Sequence, residues 1–298
     1  MSGLNVSFGY FLAVAVLTGV GGRLLRLRPL RHFSAELPAS FMLVACWSEV
    51  QTITDVGLWA GGYGRDVTST VLFVTLVAHG LVSPGASGNP AVTLRSFLLG
   101  DTPAPAALSG LAGQVAGAFL GLGLATCYWS LELTDMHLIQ KLMSSECSPA
   151  LRVPALQGAL TEAACSLAWH LLALRLERSP ELPRVLLSAL ALTALSHVAG
   201  SYTSGYLNPA LAAALTFRCP GFTLREYAAA YWLGPAAGVA MALFLYMGHI
   251  PRLFSRNLLY SQKSRYRVPR GKSSWKQTET AGTVEQEGVK VKPQRCVQ

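Results

Sequence analysis

Two Asn-Pro-Ala triplets, Asn89-Pro90-Ala91 and Asn208-Pro209-Ala210, are the residues whose types and spacing can do chemistry. The chain holds four Asn in all, so half of them open such a triplet. Asn is a strong helix N-cap, and Pro is pre-set for the first helical position. Each triplet therefore predicts the start of a helix. The first backbone N–H groups of a helix lack internal partners, and the helix dipole is positive there. Two such ends meeting at one point inside a membrane would oppose cations. Their Asn amides could donate to a passing water, and Ala is small enough to let the tips meet. Gly85 and Gly88 before the first triplet, and Gly205 before the second, permit tight backbone on the approach.

Glu36 and Glu162 are the next candidates, since a carboxylate inside an apolar segment is functional by default. A proton relay is one reading. The other is that each accepts hydrogen bonds from backbone N–H groups of a loop that re-enters the membrane, where unpaired backbone does not survive. Their equivalent places in the two halves favour the second. His79 and His197 read as packed residues inside spans. The cysteines lack metal-ligand spacing, and no hydrolase, kinase or dinucleotide motif appears, so neither a cofactor nor an enzyme activity is expected.

Positioning these residues requires a membrane. Only 13% of the 298 residues are charged and 51% are hydrophobic, against about 25% charged in soluble domains. Seven segments are candidate spans at about 4–24, 34–54, 66–83, 107–130, 156–176, 185–201 and 226–248, each near the ~20 residues that cross a bilayer. Pro90–Leu99 and Pro209–Phe217 are half that length and read as re-entrant half-helices. The net charge is +9, of which +8 falls between Arg252 and Gln298. That stretch reads as a tail at an anionic bilayer surface rather than a nucleic-acid site. Basic loops after the first segment and between Leu174 and Val185 also belong on the cytoplasmic side. All seven segments spanning would put Met1 on the other side. Met1–Gly22 holds no Lys or Arg, so the first segment reads as an extra helix rather than a leader.

The order of helix with early Glu, helix, Asn-Pro-Ala loop, helix occurs twice, in 34–131 and in 156–250. Three spans per half force the halves to point in opposite directions, an arrangement of channels and transporters. The expected fold class is an all-α membrane protein. Its parts are residues 1–33 (extra helix and basic loop), 34–250 (the repeat) and 251–298 (a basic, largely disordered cytoplasmic tail). Gly113, Gly117 and Gly121 recur every four residues, which suits close helix packing within or between subunits.

The chain resembles the aquaporin (major intrinsic protein) family over about residues 34–250. The resemblance is carried by Gly85-Ala-Ser-Gly-Asn-Pro-Ala-Val-Thr-Leu94, Gly113-Gln-Val-Ala-Gly117, Ser204-Gly-Tyr-Leu-Asn-Pro-Ala210 and Tyr231-Trp-Leu-Gly-Pro-Ala-Ala-Gly238. It implies a homotetramer in the lipid bilayer, with one pore per subunit for water or small neutral solutes such as glycerol. The finer resemblance is to the unorthodox, intracellular superaquaporin branch. It rests on the extra N-terminal segment, on Cys219 eleven residues after Asn208, and on the tail from Arg256 to Lys272. It implies the endoplasmic reticulum or another intracellular membrane. Most family members carry Arg three residues after the second Asn, lining an outer filter; here that residue is Leu211. The family's offsets place Ser69, Ser196 and Gly205 at the other filter positions. The filter would then be wide, uncharged and partly apolar, so solutes such as hydrogen peroxide or glycerol come into reach. Cys147 and Cys219 fall on one side of the membrane in this topology and could pair. A non-conducting scaffold with this fold, and a coupled transporter using Glu36 or Glu162, are the alternatives.

Overall fold

In the computed structural model the described residues are 3–25, 30–56, 63–143, 147–217 and 219–247, and no strand occurs among them. They belong to one compact unit, Met1–Ile250; Pro251–Gln298, where the basic tail was expected, lies outside the described residues. The helices are α1 (Gly3–Leu24), α2 (Arg31–Asp55), α3 (Arg65–Val82), α4 (Pro90–Leu98), α5 (Ala104–Trp129), α6 (Asp135–Met143), α7 (Ala155–Leu176), α8 (Glu181–Thr203), α9 (Pro209–Leu215), α10 (Leu224–Ala228) and α11 (Gly234–Tyr246). A π-helical turn, Ala229–Leu233, joins the last two into one long element.

Four of these elements are long and apolar enough to cross a membrane by composition alone: α1, α5, α8 and the element from Leu224 to Tyr246. They turn large apolar residues outward, among them Leu12 and Val16 on α1, Leu120 on α5 and Leu190 on α8. Those faces suit lipid, where exposure of apolar surface carries no hydrophobic cost. The elements α2 and α7 are less apolar because each carries buried carboxyl and hydroxyl side chains that the interior uses.

The inverted repeat is visible in backbone contacts. Helix α5 lies so close to α2 that a β-carbon on Gly113 would sit 2.5 Å from the Phe33 carbonyl oxygen, and one on Gly117 would strike that of Leu37. In the second half a β-carbon on Gly234 would sit 2.7 Å from the Ala159 carbonyl oxygen, and one on Gly238 would strike that of Ala163. Phe33 and Leu37 flank Glu36 at the same offsets by which Ala159 and Ala163 flank Glu162. The small-residue stripe therefore packs within the subunit, and the same register of glycine against helix recurs in both halves.

The extra helix is fixed by a buried polar cluster. Glu49 of α2 is fully buried and gathers three elements. Ser7 Oγ of α1 donates to its Oε1 at 2.5 Å, Trp129 Nε1 of α5 donates to Oε2 at 3.0 Å, and His137 Nε2 of α6 lies 3.0 Å from Oε1. Tyr10 of α1 stacks on Tyr128 at 4.1 Å between ring centroids and donates its hydroxyl to the Ala45 carbonyl at 3.3 Å. The seven spans read in the sequence leave 131–155 unassigned; α6 forms inside that stretch, with Met136 and His137 buried.

Candidate functional site

Both Asn-Pro-Ala triplets start half-helices, through the same atoms. Asn89 Oδ1 accepts from the Ala91 N–H at 2.9 Å, and Asn208 Oδ1 accepts from the N–H groups of Ala210 at 3.0 Å and Leu211 at 3.3 Å. Pro90 and Pro209 take the first helical positions, where no N–H is needed. Each Asn then reaches across to the other loop. Asn89 Nδ2 donates to the Leu207 carbonyl at 3.0 Å, and Asn208 Nδ2 donates to the Gly88 carbonyl at 2.9 Å. An amide nitrogen carries two protons, so one proton of each Asn remains beyond this cross-link.

The approach loops need unusual backbone. Gly88 has φ +61° and a β-carbon there would lie 2.8 Å from the Ser40 nitrogen; Gly205 has φ +59° and its β-carbon would lie 2.6 Å from Ser196 Cα. Both the sign of φ and the space admit only glycine. The carboxylates hold these loops. Glu36 Oε2 accepts from the Gly88 N–H at 2.7 Å and from Gln114 Nε2 at 2.9 Å, while Ser87 N–H lies 3.3 Å from both oxygens. Glu162 Oε2 accepts from the Leu207 N–H at 3.0 Å, and Oε1 from the Thr203 hydroxyl at 2.6 Å. The halves thus use the same carboxylate with different helpers, Gln114 in the first and Thr203 in the second.

Two cavities flank the junction. The inner one, about 800 Å³, runs from Asn89, Asn208 and Leu211 to a mouth with Glu177 and Arg184. The outer one, about 330 Å³, is lined by Ser69, Ser196, His197 and Thr193 and opens near Asp55 and Arg152. The four positions assigned to a filter do not share one cavity. Ser69 and Ser196 face the outer one, Gly205 and Leu211 the inner one. Leu211 is 1% exposed and belongs to the main apolar core. His79 is buried with Nε2 3.2 Å from the Ala39 carbonyl oxygen. His197 is not packed as expected; it is exposed at the outer cavity, its Nδ1 3.2 Å from Ser69 Oγ. Cys147 and Cys219 are joined in a disulfide. Among the described residues no group of three or more His, Cys, Asp or Glu could hold a metal.

The chain matches the family model described as Major intrinsic protein over residues 24–246. The chain belongs to the major intrinsic protein family. It is 44% identical over 278 residues to mouse (Mus musculus) "Aquaporin-12", covering 92% of this chain and 96% of that one. It is 42% identical over 272 residues to human (Homo sapiens) "Putative aquaporin-12B", covering 91% and 90%. Human "Aquaporin-11" is 28% identical over 261 residues, covering 85% and 93%. The chain is therefore a membrane channel of aquaporin type from the superaquaporin branch, and the inverted repeat described above is the aquaporin fold. Among the residues lining this aquaporin's two cavities whose place there went unread in the sequence are Trp47, Gln51 and Tyr206. Aromatic and amide side chains are common in apolar segments, and nothing in their spacing set these apart.

Proposed function

We propose that the chain is a passive channel for water and small neutral solutes, with glycerol and hydrogen peroxide as candidates. The observation that carries this reading is the reciprocal bonding of Asn89 and Asn208, each capping its own half-helix while donating to the other's loop. That arrangement aims two positive helix ends and two spare amide protons at one point of the inner cavity. Water can exchange hydrogen bonds with the amides while a cation is repelled. In this reading Leu211, Gly205, Ser196 and Ser69 flank the selective part of the path, and Glu36 and Glu162 serve the loops rather than a proton. Nothing in the sequence suggests a coupling ion or ATP, so flux follows the gradient.

The same reading has the protein work as a homotetramer in the endoplasmic reticulum or another intracellular membrane. Arg23, Arg31, Arg175 and Arg178 support a cytoplasmic placement of the helix ends that carry them, and the basic composition of 251–298 supports a cytoplasmic C-terminus by the same rule. Residues 1–33 add a helix to the channel body of 34–250.

Stopped-flow light scattering on proteoliposomes tests the proposal, with Ser188→Trp, which puts an indole into the inner cavity that Ser188 lines, as the blocked control. Water or solute flux above empty liposomes that this variant abolishes is the expected result. Folded, tetrameric protein without any flux would favour a non-conducting scaffold, a reading that the buried, apolar Leu211 at the path makes specific.

A further inference from the structure

The outer and inner cavities follow one another along the same three helices. On α3, Leu72 lines the outer and Leu76 the inner; on α8, Thr193 lines the outer and Leu192 the inner; on α2, Gln51 lines the outer and Leu43 the inner. Each pair lies within about two turns of its helix, so on each of the three the division between the cavities falls inside that short stretch. Midway between Leu43 and Gln51 is Trp47, and it is the residue that lines both cavities.

The indole is braced on one side. Trp47 meets Tyr206 edge to face, with ring centroids 5.9 Å apart and an interplanar angle of 62°. Gln51 Nε2 donates to the Tyr206 hydroxyl at 3.0 Å, and Tyr231 packs against the same ring at 5.6 Å. Tyr206 stands between Gly205 and Leu207, both of positive φ, in the loop that Glu162 ties down. The brace is thus part of the approach to the second Asn-Pro-Ala triplet. Trp47 itself has no hydrogen-bond partner among the described residues. Among the described residues its N–H therefore has no acceptor.

We propose that Trp47 is the specificity-determining residue of the passage, the wall that sets how wide a solute can cross from one cavity to the other. This rests on the channel reading above. Ser69 and Ser196 are short on the outer side and Gly205 offers no side chain on the inner side, which leaves the indole as the largest side chain at this level, beside Leu72, Leu76, Leu192 and Tyr206. Its ring excludes by width and its N–H offers one hydrogen bond to a passing oxygen. Selection here depends on size and carries no fixed charge.

The test reconstitutes the full chain as wild type, Trp47→Ala and Trp47→Phe, and measures water and glycerol permeability in the same vesicles. Ser188→Trp is combined with each to identify flux through the path. Trp47→Ala is expected to raise glycerol permeability relative to water several-fold, with Trp47→Phe in between, and Ser188→Trp is expected to remove the gain. Glycerol flux that appears only in Trp47→Ala gives the same answer. An unchanged glycerol-to-water ratio in a variant that keeps its disulfide and its elution volume overturns the proposal while leaving the channel reading intact. If Trp47→Ala does not fold, Trp47→Phe alone decides by the same ratio. No flux above empty liposomes from any variant overturns both readings.

Discussion

His137 Nε2 lies 3.0 Å from Glu49 Oε1, and neither side chain is exposed to any extent. The two residues stand 88 positions apart, and the carboxylate also takes donors from α1 and α5. Removing it would leave the Trp129 and His137 ring nitrogens without this partner and Ser7 with the Gly3 carbonyl alone. Breaking a buried hydrogen-bonded charge costs about 3–5 kcal/mol, so Glu49→Ala should markedly lower the melting temperature of the detergent-solubilised protein. Glu49→Gln keeps one acceptor oxygen and should lose less. Equal melting points for wild type and Glu49→Ala would show that the cluster adds nothing.

Asn208→Asp separates the two jobs of that side chain. An aspartate still caps α9, but it cannot donate to the Gly88 carbonyl. It also places negative charge where two helix ends are positive. The expected outcome is a folded protein with a cation or proton leak that wild type lacks. Dye-loaded proteoliposomes under a pH gradient read it directly, and a tight membrane with unchanged water flux would contradict it.

The carboxylates can be ranked by what they leave behind. Glu162→Ala strands the Leu207 N–H and the Thr203 hydroxyl, at about 1–3 kcal/mol for each buried orphan. Thr203→Val removes one of Glu162's donors and the 3.3 Å acceptor of the Gly205 N–H but leaves the Leu207 bond in place, and should cost less than Glu162→Ala. Thermal unfolding of the two variants side by side checks the order.

A side chain larger than glycine at 117 or 238 would meet backbone rather than a movable side chain. Overpacking of about 1–3 kcal/mol is usual where neighbours can yield, and here they cannot. Gly117→Leu and Gly238→Leu should both fail to give a monodisperse protein, whereas Gly123→Leu, with nothing within 4 Å of its β-carbon, should not. Size-exclusion profiles of the three decide it.

Much of the architecture was legible because the bilayer punishes exceptions. Windows poor in charge marked the helices, and α1, α3 and α7 begin and end within a few residues of the segments read at 4–24, 66–83 and 156–176. The half-helix starts could be read because only a cap followed by Pro satisfies their first turn. The glycine stripe was visible, but its partner was not, since spacing along α5 says nothing about which helix approaches. Glu49 was hidden for the same reason: its partners lie on three other elements, and one of them, α6, falls where no span was read. Trp47 was hidden because its position between two cavities depends on the rotation of α2, a tertiary property. The offsets that chose Ser69, Ser196, Gly205 and Leu211 carry sequence distance but not depth, so they grouped residues that face different cavities.

The Cys147–Cys219 bridge closes a loop across 72 positions. Helices α7 and α8 and the half-helix α9 all lie inside that ring. Seen during synthesis, the ring is a record of insertion: its second thiol becomes available only after α9 has entered the membrane and the chain has turned back out. On the topology proposed above, both thiols then sit in an oxidising lumen. A chain that threaded α9 straight through would deliver Cys219 to the reducing side and could not close. On that topology, bond formation would report, molecule by molecule, that the second half-helix turned around inside the bilayer.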